Sequence, residues 1–139
     1  MISQPILQCL VSYEAVSPRI LTAKFSMKEG IVHIIQAYAP TTTHSETVSD
    51  EFYDALQLHI QKVPKKESLI VLGDFNAKIG TDHSLWAPTL GKYGLGKVNS
   101  RGEKLLEFCT LHKLVVCNTY FQHCRRATWT ALRVDSIET

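Results

Sequence analysis

Two polar side chains stand where a chain leaves a buried strand, and their types suit phosphate chemistry. Asp74 and Asn76 lie in Gly73-Asp74-Phe75-Asn76, directly after the apolar run Ser68-Leu69-Ile70-Val71-Leu72. A carboxylate at a strand mouth can take a proton from water, or stand deprotonated beside a metal ion. α/β proteins place their sites at the carboxyl ends of strands. Asn76 shares a side with Asp74 if the chain stays extended. Its amide can donate to a phosphate oxygen, which a carboxylate cannot do. The same spacing also suits an Asx turn that simply ends the strand. A third polar group, Tyr38, lies in Gln36-Ala37-Tyr38-Ala39-Pro40-Thr41. Its hydroxyl could bond a phosphate while Pro40 fixes the turn. Alone, it reads equally as a half-exposed strand tyrosine before a proline turn. The pair of strand ends, separated by one amphipathic helix, is a far more specific constellation than either alone.

The elements that position these residues follow from periodicity. Residues 19–27 alternate apolar and polar, as a half-buried strand does. Glu29-Gly30 signals a turn, and Ile31–Ala39 is β-branched and apolar, so it reads as the hairpin partner. Ser45 is placed to cap a helix that runs to Val63, with Val48, Phe52, Ala55, Leu56, His59, Ile60 and Val63 at helical spacing before Pro64. The continuous run from Ser68 to Gly73 predicts a strand covered on both faces. Residues 80–99 form a Gly-rich loop. Ser100-Arg101-Gly102-Glu103 has the capping-box pattern ahead of Leu105, Leu106 and Cys109. Leu114–Thr119 predicts a further buried strand, and Ala127–Thr130 the start of another. The order is β-β-α-β-loop-α-β-β, an α/β fold with mixed strand pairing.

Composition bounds the function classes. The 139 residues are enough for one domain, with 45% hydrophobic and 20% charged residues, so disorder is excluded for most of the chain. A net charge of +2 is too small to imply nucleic acid. Lys65-Lys66, Arg125-Arg126, and Lys92, Lys97, Arg101 and Lys104 are local basic groups that suit a phosphate-tracking groove or an ordinary solvated loop. Cys9, Cys109, Cys117 and Cys124 form no CxxC pair and no zinc spacing, which predicts free thiols in a reducing, intracellular compartment. Met1–Val16 is not a signal peptide, and no stretch approaches the ~20 apolar residues of a membrane helix.

The segments AYAPTT, IVLGDFNAKIG, NSRGEKLLEFC, LVVCNTYF and ATWT, in this order, resemble the endonuclease domain of non-LTR retrotransposons. The likeness is to the RTE/BovB-like group and the craniofacial development protein 2-like proteins related to it, within the endonuclease/exonuclease/phosphatase family. It covers roughly residues 6–130, which implies one partial domain over 1–130 and a divergent tail at 131–139. The resemblance implies part of a four-layer, DNase I-like α/β sandwich. It implies Mg²⁺ or Mn²⁺ as cofactor, DNA as partner, no membrane, and an intracellular location, the nucleus included. Carried over by position, Asp74 activates or orients the attacking water, Asn76 contacts the phosphate, and Tyr38 binds it. Thr41 occupies a position where many relatives carry Asn, and would donate to the substrate in its place.

The same resemblance implies a domain incomplete at both ends. The family's early Asn and metal-binding Glu precede the first hairpin, and its terminal Ser/Thr-Asp-His motif follows the last strand. Glu14 is a surface acid rather than that ligand, and Asp135 only faintly matches the penultimate motif. Asp82-His83 imitates the terminal pair but lies in the loop after GDFN. His33 and His59 read as structural. The metal ligands are therefore unknown, and weak or absent nuclease activity is expected. The alternative is a non-catalytic remnant that binds nucleic acid or protein.

Overall fold

In the computed structural model, which describes residues 1–122, four strands form one sheet. They are β1 (Leu10–Ser17), β2 (Ile20–Met27), β3 (Gly30–Tyr38) and β4 (Ser68–Asp74), in the order β1-β2-β3-β4. The first three are antiparallel neighbours, and β4 runs parallel to β3. A parallel return needs a crossover. Here it is α2 (Glu46–Gln61), preceded in the chain by the short α1 (Gln4–Leu7). Ser45 caps α2 as its type predicts, its hydroxyl accepting from the Val48 amide at 3.4 Å. Phe52, Leu56 and Ile60, spaced four apart, are buried along one stripe. Ile20, Ile35 and Ala37 supply the buried side of the sheet.

Two compact units divide the chain, Met1–Ala77 and Lys78–Thr139. The described part of the second holds α3 (His83–Trp86), α4 (Ser100–Leu111) and a 3₁₀ turn at Cys117–Thr119. Leu90, Leu105, Leu106, Phe108 and Cys109 are its buried apolar residues. Burial pushes the Cys109 thiol up to about 11, so it behaves as a small hydrophobe. Cys9, Cys109 and Cys117 are free. Among the described residues no helix is long and apolar enough to cross a membrane.

The structure corrects four sequence expectations. β1 precedes the predicted hairpin; its exposed, non-alternating side chains gave no period-two signal. β4 is not covered on both faces: Ile70 and Leu72 remain 49% and 44% exposed on one face while Leu69 and Val71 are half-buried on the other, so among the described residues only one face of this strand is covered. The cap of α4 is Asn99 rather than Ser100. The Asn99 side-chain oxygen Oδ1 accepts from both Gly102 N at 2.8 Å and Lys78 N at 3.1 Å, two donors that a single serine hydroxyl would satisfy less easily. Leu114–Thr119 is not a strand. Lys113 adopts a left-handed conformation that ends α4, Val116 makes one bridge to Leu90, and the chain then turns. A strand requires a partner along its length, and these amides bond Cys109, Thr89 and the turn instead. Arg125-Arg126, Cys124, the expected strand at 127–130, Asp135 and the tail 131–139 lie outside the described residues.

Beside the sheet, His33 donates through Nε2 to the Glu67 carboxylate at 2.6 Å, with Lys24 at 3.7 Å. The His33 hydrogen bond, supported by the Lys24 and Lys66 charges, holds Glu67 below the ordinary glutamate range. A carboxylate depressed in the folded state stabilises that state above its unfolded pKa and ceases to do so as pH falls through the folded value. The stability gap between the native chain and Glu67→Gln is therefore expected to be full above about pH 4.5 and to close on acidification below it, measured as the urea midpoint against pH. A gap that widens toward acid would contradict this.

Candidate phosphate-binding site at the strand ends

The parallel register places Tyr38 and Asp74 directly beside one another as Cα partners at the carboxyl ends of β3 and β4. Neighbouring strands lie about 4.8 Å apart, and paired residues present their side chains on the same face. Along β3, Ile35 and Ala37 are buried while Gln36 and Tyr38 are exposed. The alternation that builds the core therefore turns Tyr38, and with it Asp74, toward solvent.

Asn76 fastens the two strand ends together. Its side-chain amide donates to the Ala39 carbonyl at 2.8 Å, and its backbone amide donates to the Asp74 carboxylate at 2.9 Å. The Ala39 amide in turn donates to the Asp74 carbonyl at 2.9 Å. Asn76 adopts φ 49°, a left-handed conformation that Asn tolerates better than most residues. The chain therefore does not stay extended past Asp74: it closes the Asx turn, and it is through that turn that Asn76 reaches Ala39. The turn occupies one Asp74 oxygen and leaves the carboxylate exposed.

Gly73 makes the close register possible. Its φ is 144°, and an added Cβ would lie 1.7 Å from the Ala37 carbonyl oxygen.

Two further residues enter the site. Arg19 donates through Nη1 to the Tyr38 carbonyl at 3.4 Å, and its guanidinium carbon sits 5.5 Å from the Tyr38 ring centroid, within cation–π range. Its Nη2 meets His44 Nε2 at 3.2 Å, and His44 Nδ1 meets the Thr41 hydroxyl at 2.9 Å. Neither Arg19 nor His44 belonged to the expected set. Arg19 was readable in principle: β2 is antiparallel to β3, so the start of β2 lies at the end of β3, beside Tyr38. His44 has no such periodic signal, because the Thr41–His44 turn brings it back.

The remaining candidates make capping or surface contacts away from the strand ends. Asp82 caps α3, accepting from Leu85 N at 3.1 Å and from the Ser84 hydroxyl at 2.8 Å. The Ser84 bond holds its carboxyl below the usual range. His59 donates through Nδ1 to the Ala55 carbonyl at 2.9 Å, and Glu14 is largely exposed, 4.0 Å from His59.

A divalent cation such as Mg²⁺ gathers oxygen ligands, usually with more than one carboxylate or with substrate phosphates. Among the described residues no group of three or more His, Cys, Asp or Glu side chains gathers. Asp74 is the single carboxylate of the strand-end set, and the charged side chain at Tyr38 is the cationic Arg19. The described residues do not fit such an ion by themselves.

A mixed sheet and a crossover helix with polar groups at two adjacent parallel strand ends make the first unit an α/β domain, consistent with the endonuclease/exonuclease/phosphatase, DNase I-like fold. A model of the endonuclease-reverse transcriptase family matches residues 32–136, and the chain belongs to that family. It is 33% identical over 133 residues to craniofacial development protein 2 of Bos taurus, and 32% identical to the protein of that name from Tragulus javanicus. Both matches cover 94% of this chain, which spans only 22% and 23% of those relatives.

Proposed function

We propose that this chain carries the phosphate-gripping part of a DNA phosphodiesterase domain of retrotransposon type. The observation that carries the reading is the side-by-side placement of Tyr38 and Asp74, tied by Asn76 to the Ala39 carbonyl. Tyr38 offers a hydroxyl to a phosphate oxygen. Asn76 has a second amide hydrogen beyond the one given to Ala39. Asp74 holds an exposed carboxylate that orients a water for attack and takes its proton. Family likeness suggests Mg²⁺ or Mn²⁺, whose ligands would lie beyond the described set.

The test pairs oligonucleotide binding with plasmid nicking. The 139-residue chain is expected to bind DNA with an affinity that falls as salt rises. Tyr38→Phe is expected to weaken binding about tenfold, the effect of one hydrogen bond to a charged group. Supercoiled plasmid with Mg²⁺ is expected to be nicked weakly or not at all. Binding indifferent to Tyr38→Phe would overturn the phosphate site. Robust nicking abolished by Asp74→Ala would show instead that the chain needs no further ligands.

A further inference from the structure

The turn after β3 contains a hydrogen-bonded chain whose proton positions are dictated by one of its ends. A guanidinium has only donors, so His44 Nε2, 3.2 Å from Arg19 Nη2, must be the acceptor. A neutral imidazole that accepts at Nε2 carries its hydrogen on Nδ1. That hydrogen points into the 2.9 Å contact with Thr41 Oγ1, so the Thr41 hydroxyl accepts there. Its own hydrogen remains to be given. Thr43 Oγ1 lies 2.7 Å away and can exchange roles with it. When a ligand oxygen takes the Thr41 hydrogen, the Thr43 hydroxyl turns its own toward the second Thr41 lone pair. Every polar atom in the chain then stays satisfied.

Arg19 is itself fixed. Its carbonyl accepts from Tyr38 N at 2.9 Å, its amide donates to the Ser17 hydroxyl at 3.1 Å, and its guanidinium rests over the Tyr38 ring. The side chain that sets the His44 tautomer is thus locked to the tyrosine of the site. A hydroxyl hydrogen otherwise rotates freely between acceptors. Here the rotation is narrowed to two positions, one of them available to a ligand.

We propose that Arg19 and His44 are positioning residues that set the Thr41 hydroxyl as a hydrogen-bond donor to a phosphodiester oxygen held beside Tyr38. The ligand half rests on the phosphodiester reading above; the tautomer half stands on the geometry alone. The device would let threonine serve where an amide side chain would otherwise donate, since the relay fixes what the amide has built in.

The experiment uses the full chain with ¹⁵N-labelled histidine, the His44 signal being assigned by its loss in His44→Gln. At a pH where the ring is neutral, long-range ¹H–¹⁵N correlations distinguish the two tautomers. The Nδ1–H form is expected for His44, relaxing toward Nε2–H in Arg19→Met. An Nε2–H ring in the native chain, or one unmoved by Arg19→Met, would overturn the relay. A second arm measures oligonucleotide affinity in a double-mutant cycle. His44→Ala is expected to weaken binding about fivefold in the native background, as for one ordinary hydrogen bond, and to have no effect beside Thr41→Val. Equal losses in both backgrounds would show that His44 does not act through Thr41. Absence of any oligonucleotide binding by the native chain would sink the phosphodiester reading and the ligand half together, while leaving the tautomer result to stand or fall separately.

Discussion

Gly73→Ala is expected to lower the unfolding free energy by at least about 3 kcal/mol and the thermal midpoint by about 12 °C or more. Two costs combine. The residue holds φ 144°, where an L side chain is strained by about 1–3 kcal/mol. The new Cβ would also fall 1.7 Å from the Ala37 carbonyl oxygen, which is backbone and has no rotamer to yield. Relief requires β3 and β4 to part at the Ala37–Gly73 pair, one step before Tyr38 and Asp74. Stability and the site should therefore fail together. Differential scanning calorimetry and oligonucleotide binding measure the two. A variant that melts within about 2 °C of the native chain would show that the close approach is not needed, since about 1 kcal/mol already moves a domain of this size by about 4 °C.

Asn76→Ala is expected to cost about 2–4 kcal/mol. It removes a side-chain amide whose partner, the Ala39 carbonyl, belongs to a residue that is only 2% exposed. An orphaned polar group in such a place costs about 1–3 kcal/mol. Alanine also accepts the left-handed φ of 49° less readily than asparagine. Asn76→Gly separates the contributions, because glycine adopts that backbone freely yet still leaves Ala39 without its donor. Asn76→Asp keeps the shape but loses the donor and adds a second negative charge beside Asp74. The expected order of stability by urea denaturation is native, then Gly, then Ala. Alanine equal to the native chain would mean that the tie across the strand ends does not hold them.

Much of the first unit was legible because local signals agreed with tertiary ones. Ser45 is a cap type followed by apolar residues at helical spacing, and the helix forms there. Glu29-Gly30 between two apolar stretches is a hairpin, and the hairpin forms. Where the signal was local but ambiguous, the reading failed. Leu114–Thr119 has strand composition, yet Lys113 turns the chain and its amides find other partners. Ser100 has the capping pattern, yet Asn99 reaches two amides at once.

The sequence by itself determined which strands end in polar residues: alternation forces Tyr38 outward, and Gly73 with Asn76 permits the tight exit after Asp74. Tertiary structure alone decided that Tyr38 and Asp74 stand side by side, because that needs the parallel register of β3 on β4. It also decided that Arg19 and His44 join them. Spacing along a chain fixes what neighbours within one element can share. Contacts between residues 19, 38, 44 and 74 depend on strand order and turn geometry, and no local period encodes those.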